Sequence, residues 1–375
     1  MSGPRIALLV THLMGSGHLV RTLTLARALA ALGADPLVIS GGRPLAHVET
    51  GGVRFAQLPP LASDGLDYRA LLDADGAPAS DAYRADRQAR LVALLRAEAP
   101  AALVTELYPL GRRNLEAEFR AAIAALPAGA RLIGSVRDVM EPPSKARRVA
   151  QALERLAPYD ALLVHGDPAV IPLEASWPGD GTLPEPLARR IRYAGYAVSP
   201  APAPSTGPGE GEALVATGGG AIGRRLLEVA ARASALSALP WRLRVGGADA
   251  AAVIETLRPL GPAAMEPAAP DFRPRLSRAA AAVTLCGYNT AVEAALSGTP
   301  TLLVPMEEAG EREQLLRAEA FARLPEIETA RIADLTPEGL AARVAELAAQ
   351  PRRAPTLRAD GGAEAARIVL QTLDP

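Results

Sequence analysis

Twice along the chain, a short apolar run leads into a glycine-rich turn and then into a helix-like segment. Residues 6–10 lead into Met14-Gly15-Ser16-Gly17-His18, and residues 214–217 lead into Gly218-Gly219-Gly220. Short apolar runs that alternate with longer helix-like segments are typical of parallel strands joined by crossover helices. The repeated pattern therefore predicts an α/β fold with one parallel sheet in each half of the chain.

A proline-rich stretch separates the two halves. Its prolines lack a backbone N–H donor and have a fixed φ angle, so residues 199–211 should form a linker rather than a helix or a central strand. We predict a Rossmann-like N-terminal domain over residues 1–198, the linker over residues 199–211 and a Rossmann-like C-terminal domain over residues 212–354. A last helix, within residues 355–375, could pack back on the N-terminal domain.

Apolar runs and helical periodicity also predict the individual elements. The predicted strands are residues 5–11, 36–40, 53–58, 101–105, 131–136, 161–165, 213–217, 241–245, 280–285 and 301–304. The predicted helices are residues 19–32, 85–99, 113–126, 146–156, 222–235, 250–257, 289–297, 312–323, 337–348 and 362–373.

Charge and composition exclude several classes of function. The net charge is −1, from 40 basic and 41 acidic residues, so no general field attracts nucleic acid or anionic lipid. Cys286 is the only cysteine, which excludes an intrachain disulfide and a cysteine-based metal site. No apolar stretch approaches the ~20 residues needed to cross a bilayer. We expect a cytoplasmic protein without a nucleic-acid partner, whose contact with the inner face of the membrane is at most peripheral.

The two glycine-rich turns suggest a phosphate ligand. Glycine lets the backbone approach a ligand closely, and the helix start that follows presents free N–H groups and the positive end of a dipole. Neither turn is a Walker A motif or a Gly-x-Gly-x-x-Gly dinucleotide motif. Two such turns on two domains indicate a diphosphate held in a cleft between them, and the alternative is that both are only tight turns.

His18 lies where the first turn enters its helix. An imidazole with an ordinary pKa can act as a base near neutral pH, whereas the alternative is a turn or cap residue without chemistry. The other histidines are interpreted as structural: His12, His47 and His165.

A second cluster, Cys286-Gly287-Tyr288-Asn289-Thr290-Ala291-Val292-Glu293, follows a predicted strand and opens a helix. Thr290-x-x-Glu293 fits a capping box, in which Glu293 only closes the helix N-terminus. Alternatively, the Glu293 carboxylate accepts hydrogen bonds from two ribose hydroxyls. The later segment of residues 311–318, which contains Gln314, could be a solvated helix face with helical charge pairs.

These residues together resemble a family. Three segments resemble those of the GT-B glycosyltransferases of the MurG-like group and of its predicted bacterial branch. They are the turn Gly15-Ser16-Gly17-His18, the run Gly218-Gly219-Gly220 and the pattern Gly287-Tyr288-Asn289-Thr290-x-x-Glu293-x(4)-Gly298-x-Pro300-x(4)-Pro305-x(8)-Gln314. The resemblance covers almost the whole chain. It implies a GT-B architecture in which two Rossmann-like domains face a central cleft, with the acceptor on the N-terminal domain and the nucleotide-sugar donor on the C-terminal domain.

By matching positions, the resemblance also implies roles for single residues. Glu293 would bind the ribose, Gln314 would contact the donor sugar, and His18 would be the catalytic base. The remaining donor-binding positions are Gly15, Ser16, Gly17, Gly218, Gly219, Gly220, Gly287, Tyr288, Asn289 and Thr290. The chain departs from the family's paired glutamines at Glu313, and Arg317 replaces an asparagine.

Two further acidic residues follow strands of the first half, where ligands of open parallel sheets bind. Glu106 and Asp138 could orient or activate the acceptor, or replace His18 as base, and the alternative is that they form loop caps and surface ion pairs. Asp73-Ala74-Asp75 resembles the metal-binding string of GT-A enzymes but lies in a predicted loop. No metal and no cofactor are predicted.

The sequence thus predicts a metal-independent inverting glycosyltransferase that uses a nucleoside-diphosphate sugar, with UDP as the expected nucleotide. Its acceptor is an unidentified hydroxyl compound, which could be lipid-linked. Two alternatives use the same architecture: a UDP-sugar 2-epimerase, which needs no acceptor, and a non-catalytic nucleotide-sugar-binding protein.

Overall fold

The structure is a computed structural model that describes residues 3–45, 48–63, 70–140, 146–198, 206–218, 223–247, 249–307 and 312–374. The chain divides into two compact units. The first comprises Met1–Ser199 together with Arg358–Pro375, and the second comprises Pro200–Leu357.

The first unit is built around a parallel sheet. Within the described residues, its seven strands are β1 (Arg5–Val10), β2 (Asp35–Ser40), β3 (Arg54–Gln57), β4 (Ala102–Glu106), β5 (Arg131–Arg137), β6 (Ala161–His165) and β7 (Ile191–Tyr193), in the order β3-β2-β1-β4-β5-β6-β7. The connecting helices are α1 (Gly17–Ala31), α2 (Asp81–Glu98), α3 (Glu116–Ala124), α4 (Ala146–Leu156) and α5 (Glu185–Ala188).

The central strand β1 is buried on both faces, as expected of a parallel sheet. Its Ile6 and Leu8 belong to one core cluster, which includes Leu23 of α1, whereas the intervening Ala7 belongs to a second cluster with Phe119 of α3. Because alternate residues of a strand point to opposite faces, one apolar run supplies both clusters. This double burial explains why the strand is continuously apolar.

The second unit contains a smaller parallel sheet. Within the described residues, its six strands are β8 (Ala213–Ala216), β9 (Trp241–Val245), β10 (Ala264–Pro267), β11 (Ala281–Leu285), β12 (Thr301–Val304) and β13 (Ile327–Thr329), in the order β10-β9-β8-β11-β12-β13. Its helices are α6 (Arg224–Ser234), α7 (Ala250–Leu257), α8 (Phe272–Leu276), α9 (Tyr288–Ser297), α10 (Glu313–Phe321) and α11 (Pro337–Ala348).

The last helix, α12 (Gly361–Leu373), lies in the first unit and packs against α1. Its Ala365 and Val369 belong to the core cluster that contains Leu23 and Leu29 of α1. The chain therefore crosses to the second unit after β7 and returns to the first unit for its final helix.

The two parallel sheets confirm the α/β fold class. Three short strands were not predicted: β7, β10 and β13, of three, four and three residues. Each pairs with one neighbour at the end of its sheet and is not a continuous apolar run. The predicted helix over residues 113–126 is also divided, because Arg113–Leu115 form a 3₁₀ turn before α3 begins at Glu116.

Replacing Gly361 with alanine should destabilise the first unit. A Cβ atom there would lie 2.4 Å from the backbone oxygen of Gly195, and backbone atoms cannot move aside without wider rearrangement. We expect a loss of about 1–3 kcal/mol in the free energy of unfolding, measured from the urea midpoint. Gly339→Ala, also in a first helical turn, is the control, because its nearest neighbour is the side-chain oxygen of Thr336 at 3.3 Å. Equal midpoints for the two variants would contradict the close approach.

Candidate functional site

The first polar cluster lies at the carboxyl ends of three adjacent strands. Glu106 is the last residue of β4, Ser135 is its register partner on β5, and His165 is the last residue of β6. All three are buried. In an open parallel sheet this edge is where ligands bind, so the fold brings these side chains to the expected end of the sheet.

His18 joins this cluster from the first turn of α1. Its Nδ1 lies 2.9 Å from Oε1 of Glu106. Nδ1 also lies 3.0 Å from Nη2 of Arg21, which can only donate a hydrogen bond, whereas the ionised carboxylate can only accept one. A proton on Nδ1 satisfies the contact with Glu106 and leaves the lone pair on Nε2; a proton on Nε2 satisfies the contact with Arg21. The N-cap position of α1 is Ser16, whose side chain makes no capping hydrogen bond, so His18 is not the cap residue. The structure therefore leaves the base role open to His18.

Arg21 neutralises the buried carboxylate. It forms an ion pair with Oε1 of Glu106, and its side chain is 2% exposed. Burial alone would raise the pKa of Glu106, but Arg21 and the hydrogen bond from His18 hold that pKa well below its usual range. Glu106 is therefore ionised, and both of its oxygens are engaged, Oε1 by Arg21 and His18 and Oε2 by Ser135, which disfavours the idea that it replaces His18. Arg21 was missed in the sequence, although it lies one helical turn after His18.

Both histidines of the cluster are neutral. Burial lowers the pKa of His18 to about 3, while its hydrogen bond to Glu106 acts in the opposite direction. Burial likewise lowers the pKa of His165 to about 3. His165, interpreted from the sequence as structural, is in fact connected to Glu106 through Ser135. A neutral imidazole has a lone pair that can accept a proton, but the ordinary pKa expected for His18 from the sequence is wrong: with a pKa of about 3 the free imidazole is a weak base.

Asp138 and Asp73 make local backbone contacts. Asp138 is fully buried beyond β5, and its Oδ1 accepts a hydrogen bond from the N–H of Val139 at 2.8 Å. Asp73 Oδ1 accepts hydrogen bonds from the N–H groups of Asp75 and Ala77. The Asp138 contact fits the alternative interpretation of that residue as a loop cap, and the Asp73 contacts fit the loop predicted for residues 73–75. A catalytic role for Asp138 stays a prediction.

In the second unit, the glycine-rich turn leads from β8 to α6. Gly218 has a φ of 80° and Gly223, which precedes α6, has a φ of 96°, both in the left-handed region that favours glycine. Gly219 and Gly220 lie outside the described residues. Thr217 is buried, and its hydroxyl oxygen has no hydrogen-bond partner within the described part of the chain. Counted over the described residues, the N-terminus of α6 thus has an unpaired polar group beside it.

The capping-box interpretation of Glu293 is wrong. Helix α9 begins at Tyr288 after Gly287, so Thr290 is the third helical residue and Glu293 lies beyond the first turn. The carboxylate instead lies 3.7 Å from Nε of Arg273. Burial raises the pKa of Glu293 to about 7, and the nearby Arg273 opposes the shift. Its protonation therefore changes near neutral pH.

Gln314 is held by two backbone N–H groups. Its Oε1 accepts hydrogen bonds from Cys286, which follows β11, at 3.1 Å and from Met306, which follows β12, at 3.2 Å. Since the amide oxygen is fixed in this way, the amide nitrogen is the group that can donate to a ligand. The side chain is anchored to the carboxyl ends of two strands, as a ligand contact would need to be.

Arg317 anchors the same helix, and its burial overturns the interpretation of residues 311–318 as a solvated face. The side chain is fully buried; it donates to the backbone oxygen of Cys286 at 3.0 Å and to Oε1 of Glu313 at 2.9 Å. Its guanidinium also lies 5.7 Å from the ring centre of Tyr288. The two departures from the family pattern, Glu313 and Arg317, therefore form one buried ion pair. Glu311 lies outside the described residues.

The described residues contain neither a metal-binding cluster nor a membrane-spanning helix. No group of three or more histidine, cysteine or acidic side chains within the described residues is placed to hold a metal ion. Metal independence nevertheless stays a prediction. None of the described helices combines the length and the apolar character that a bilayer span requires.

Residues 264–371 match the glycosyltransferase family 28 C-terminal domain. Among solved structures, the glycotransferase of kitacinnamycin has a TM-score of 0.64 at 20% identity over 99% of both chains. MurG of Acinetobacter baumannii has a TM-score of 0.59 at 14% identity, over 98% of this chain and 99% of its own. LpCGTa, solved in complex with UDP, has a TM-score of 0.58 at 17% identity, over 99% of this chain and 94% of its own. A search of curated proteins returns no match.

The domain match and the shared fold confirm the resemblance deduced from the sequence. The sheets of seven and six parallel strands, counted over the described residues, agree with the GT-B fold of these structures. Together with the family 28 domain, the fold supports a MurG-like glycosyltransferase.

Proposed function

We propose that this MurG-like GT-B glycosyltransferase moves a sugar from a nucleoside-diphosphate sugar, expected to be a UDP-sugar, to a hydroxyl group of its acceptor. The transfer inverts the anomeric centre and uses no metal ion. The observation that carries the proposal is the contact between His18 and Glu106, because a neutral imidazole that donates from Nδ1 to Glu106 has its lone pair on Nε2. The UDP bound to LpCGTa, which shares the fold, supports the choice of nucleotide.

His18 acts as the general base. Nε2 removes the proton from the acceptor hydroxyl while that oxygen attacks the anomeric carbon. The imidazolium that forms keeps its Nδ1–H directed at Glu106, whose negative charge stabilises it. A single displacement from the face opposite the diphosphate inverts the configuration, and no carboxylate has to form a covalent intermediate.

The start of α6 stabilises the departing diphosphate. The free N–H groups of a helix N-terminus and its dipole favour negative charge. The Thr217 hydroxyl, for which the described part of the chain offers no hydrogen-bond partner, lies at the same turn and can donate one further hydrogen bond. Gly218 lets the backbone approach the phosphates because it has no side chain. These groups could take the place of a metal ion.

Two residues of the second unit recognise the rest of the donor. The Glu293 carboxylate accepts hydrogen bonds from the two ribose hydroxyls, and the Gln314 amide nitrogen donates to a hydroxyl of the sugar. The fixed Oε1 of Gln314 supports this assignment, since only the N–H₂ group is left for the ligand. The raised pKa of Glu293 also indicates a carboxylate that gains from a hydrogen-bonding ligand.

Replacing His18 with alanine should abolish transfer but not donor binding. A thermal-shift screen of UDP-, dTDP- and GDP-sugars first identifies the donor, because a ligand of the native state raises the unfolding temperature. With that donor and a panel of hydroxyl acceptors, we expect turnover to fall by about 10²- to 10⁴-fold, while calorimetry gives an unchanged dissociation constant.

The control for this variant is His12→Gln. His12 is a buried histidine of the same unit, and its Nε2 lies 2.9 Å from the backbone oxygen of Arg43 rather than beside Glu106. It should keep its turnover at temperatures where it is folded. Unchanged turnover of His18→Ala would remove His18 from the base role. Interconversion of the donor without an acceptor would identify the epimerase, and binding without hydrolysis or transfer would identify a non-catalytic protein.

Donor affinity should depend on pH through Glu293. Because its pKa is raised to about 7, the carboxylate is mostly protonated at pH 6 and mostly ionised at pH 8. Only the ionised form accepts from both ribose hydroxyls, so binding should be up to about tenfold tighter at pH 8. A UDP-sugar is the suitable probe, since it lacks the second phosphate ionisation of UDP. Glu293→Gln should remove the dependence, and equal wild-type affinities at both pH values would contradict the role.

A further inference from the structure

A chain of hydrogen bonds extends beyond the pair of His18 and Glu106. Ser135 Oγ lies 2.7 Å from Oε2 of Glu106, and the same hydroxyl oxygen lies 3.0 Å from Nε2 of His165. The chain runs across the carboxyl ends of β6, β5 and β4 to reach α1. All of its members are nine-tenths or more buried apart from His18, whose side chain is 14% exposed.

The number of protons fixes the direction of this chain. Ser135 has one hydroxyl proton, and the ionised Glu106 has none to offer, so the hydroxyl must donate to Oε2. Its oxygen can then only accept, which requires the proton of His165 to be on Nε2. The reverse arrangement would place two oxygen lone pairs against each other at 2.7 Å. Donors therefore point towards Glu106 from both sides.

The remaining nitrogen of His165 agrees with this direction. Nδ1 is buried and has no hydrogen-bond partner among the described residues. With the proton on Nε2, Nδ1 is an unpaired acceptor. With the proton on Nδ1, an N–H donor would be buried without a partner, and the Ser135 oxygen would lose the hydrogen bond from His165. Both changes would cost free energy. The surroundings thus select a single tautomer of His165.

On the basis of the function proposed above, we propose that Ser135 and His165 are positioning residues of the transfer reaction. His165 orients the hydroxyl of Ser135, and Ser135 holds Oε2 of Glu106. Oε1 is thereby fixed towards His18, which keeps its proton on Nδ1 and presents the lone pair of Nε2 to the acceptor. Neither residue touches the reacting atoms; both act through Glu106.

The test compares paired variants of the full chain. Ser135→Ala removes the hydroxyl, whereas Ser135→Thr keeps it. His165→Phe removes the ring nitrogens, whereas His165→Gln keeps an N–H₂ donor. We expect Ser135→Ala to lower kcat by about 10- to 100-fold, since a hydrogen bond to a charged group is lost, and His165→Phe to lower it by about 2- to 10-fold, since the bond lost there joins two neutral groups. The second member of each pair should recover most of the rate. The KM for the UDP-sugar should be unchanged in all four.

A second measurement follows the His18 tautomer directly. In the ¹⁵N NMR spectrum of the imidazoles, the wild type should show His18 protonated at Nδ1, and Ser135→Ala should populate the form protonated at Nε2. Unfolding temperatures identify variants that lose rate only because they unfold. The proposal is overturned if Ser135→Ala and His165→Phe keep the wild-type kcat and the wild-type His18 spectrum, or if Ser135→Thr and His165→Gln recover nothing.

Parallel measurements on the wild type and on His18→Ala distinguish this proposal from the proposed function on which it rests. Absence of transfer by the wild type would contradict the proposed function, and the NMR measurement would then decide the positioning role by itself. If His18→Ala loses transfer while Ser135→Ala keeps the wild-type kcat and the wild-type His18 spectrum, the proposed function stands and the positioning role is refuted.

Discussion

The buried carboxylate of Glu106 is the constraint on which the arrangement of the first unit's polar residues depends. Removing a carboxylate from water is costly unless opposite charge and hydrogen-bond donors replace the lost hydration. Arg21 supplies the charge, and His18 and Ser135 supply the donors. The need to satisfy one anion thus ties the first turn of α1 to the carboxyl ends of β4 and β5, and in the proposed mechanism it holds the proton of His18 on Nδ1.

In the second unit, side chains of one helix likewise satisfy polar groups of the backbone. The chain leaves β11 at Cys286, and its backbone N–H and carbonyl there are bound by Gln314 and Arg317 of α10. Arg317 is in turn neutralised by Glu313. Groups that satisfy the backbone therefore also fix a helix at the edge where ligands of parallel sheets bind. Rigid placement of this kind is what recognition of a polar ligand requires.

Much of the fold could be predicted because parallel strands buried on both faces leave continuous apolar runs. Strands β6, β9 and β12 and helices α4, α7 and α11 have the predicted bounds. Strands β7, β10 and β13 lie at sheet ends, have only three or four residues and pair with one neighbour each. Such a strand buries few side chains and therefore leaves no continuous apolar run in the sequence.

Single site residues could be suspected from the sequence, but their contacts could not. His18 and Glu106 were both candidates, yet they are 88 residues apart and only the sheet order brings them together. The capping box failed because the helix begins at Tyr288 rather than after Thr290. The charged segment around Gln314 looked solvated because nothing local shows that Arg317 bonds to a backbone oxygen 31 residues away.

Sugar transfer by Glu106→Gln, measured in a single turnover with the donor identified by thermal shift, tests the central claim most directly. The amide keeps the shape of the side chain but lacks the negative charge that stabilises a His18 imidazolium. We expect a rate about 10²- to 10⁴-fold below the wild type with the donor dissociation constant retained. A Glu106→Gln protein that transfers sugar at the wild-type rate would contradict it.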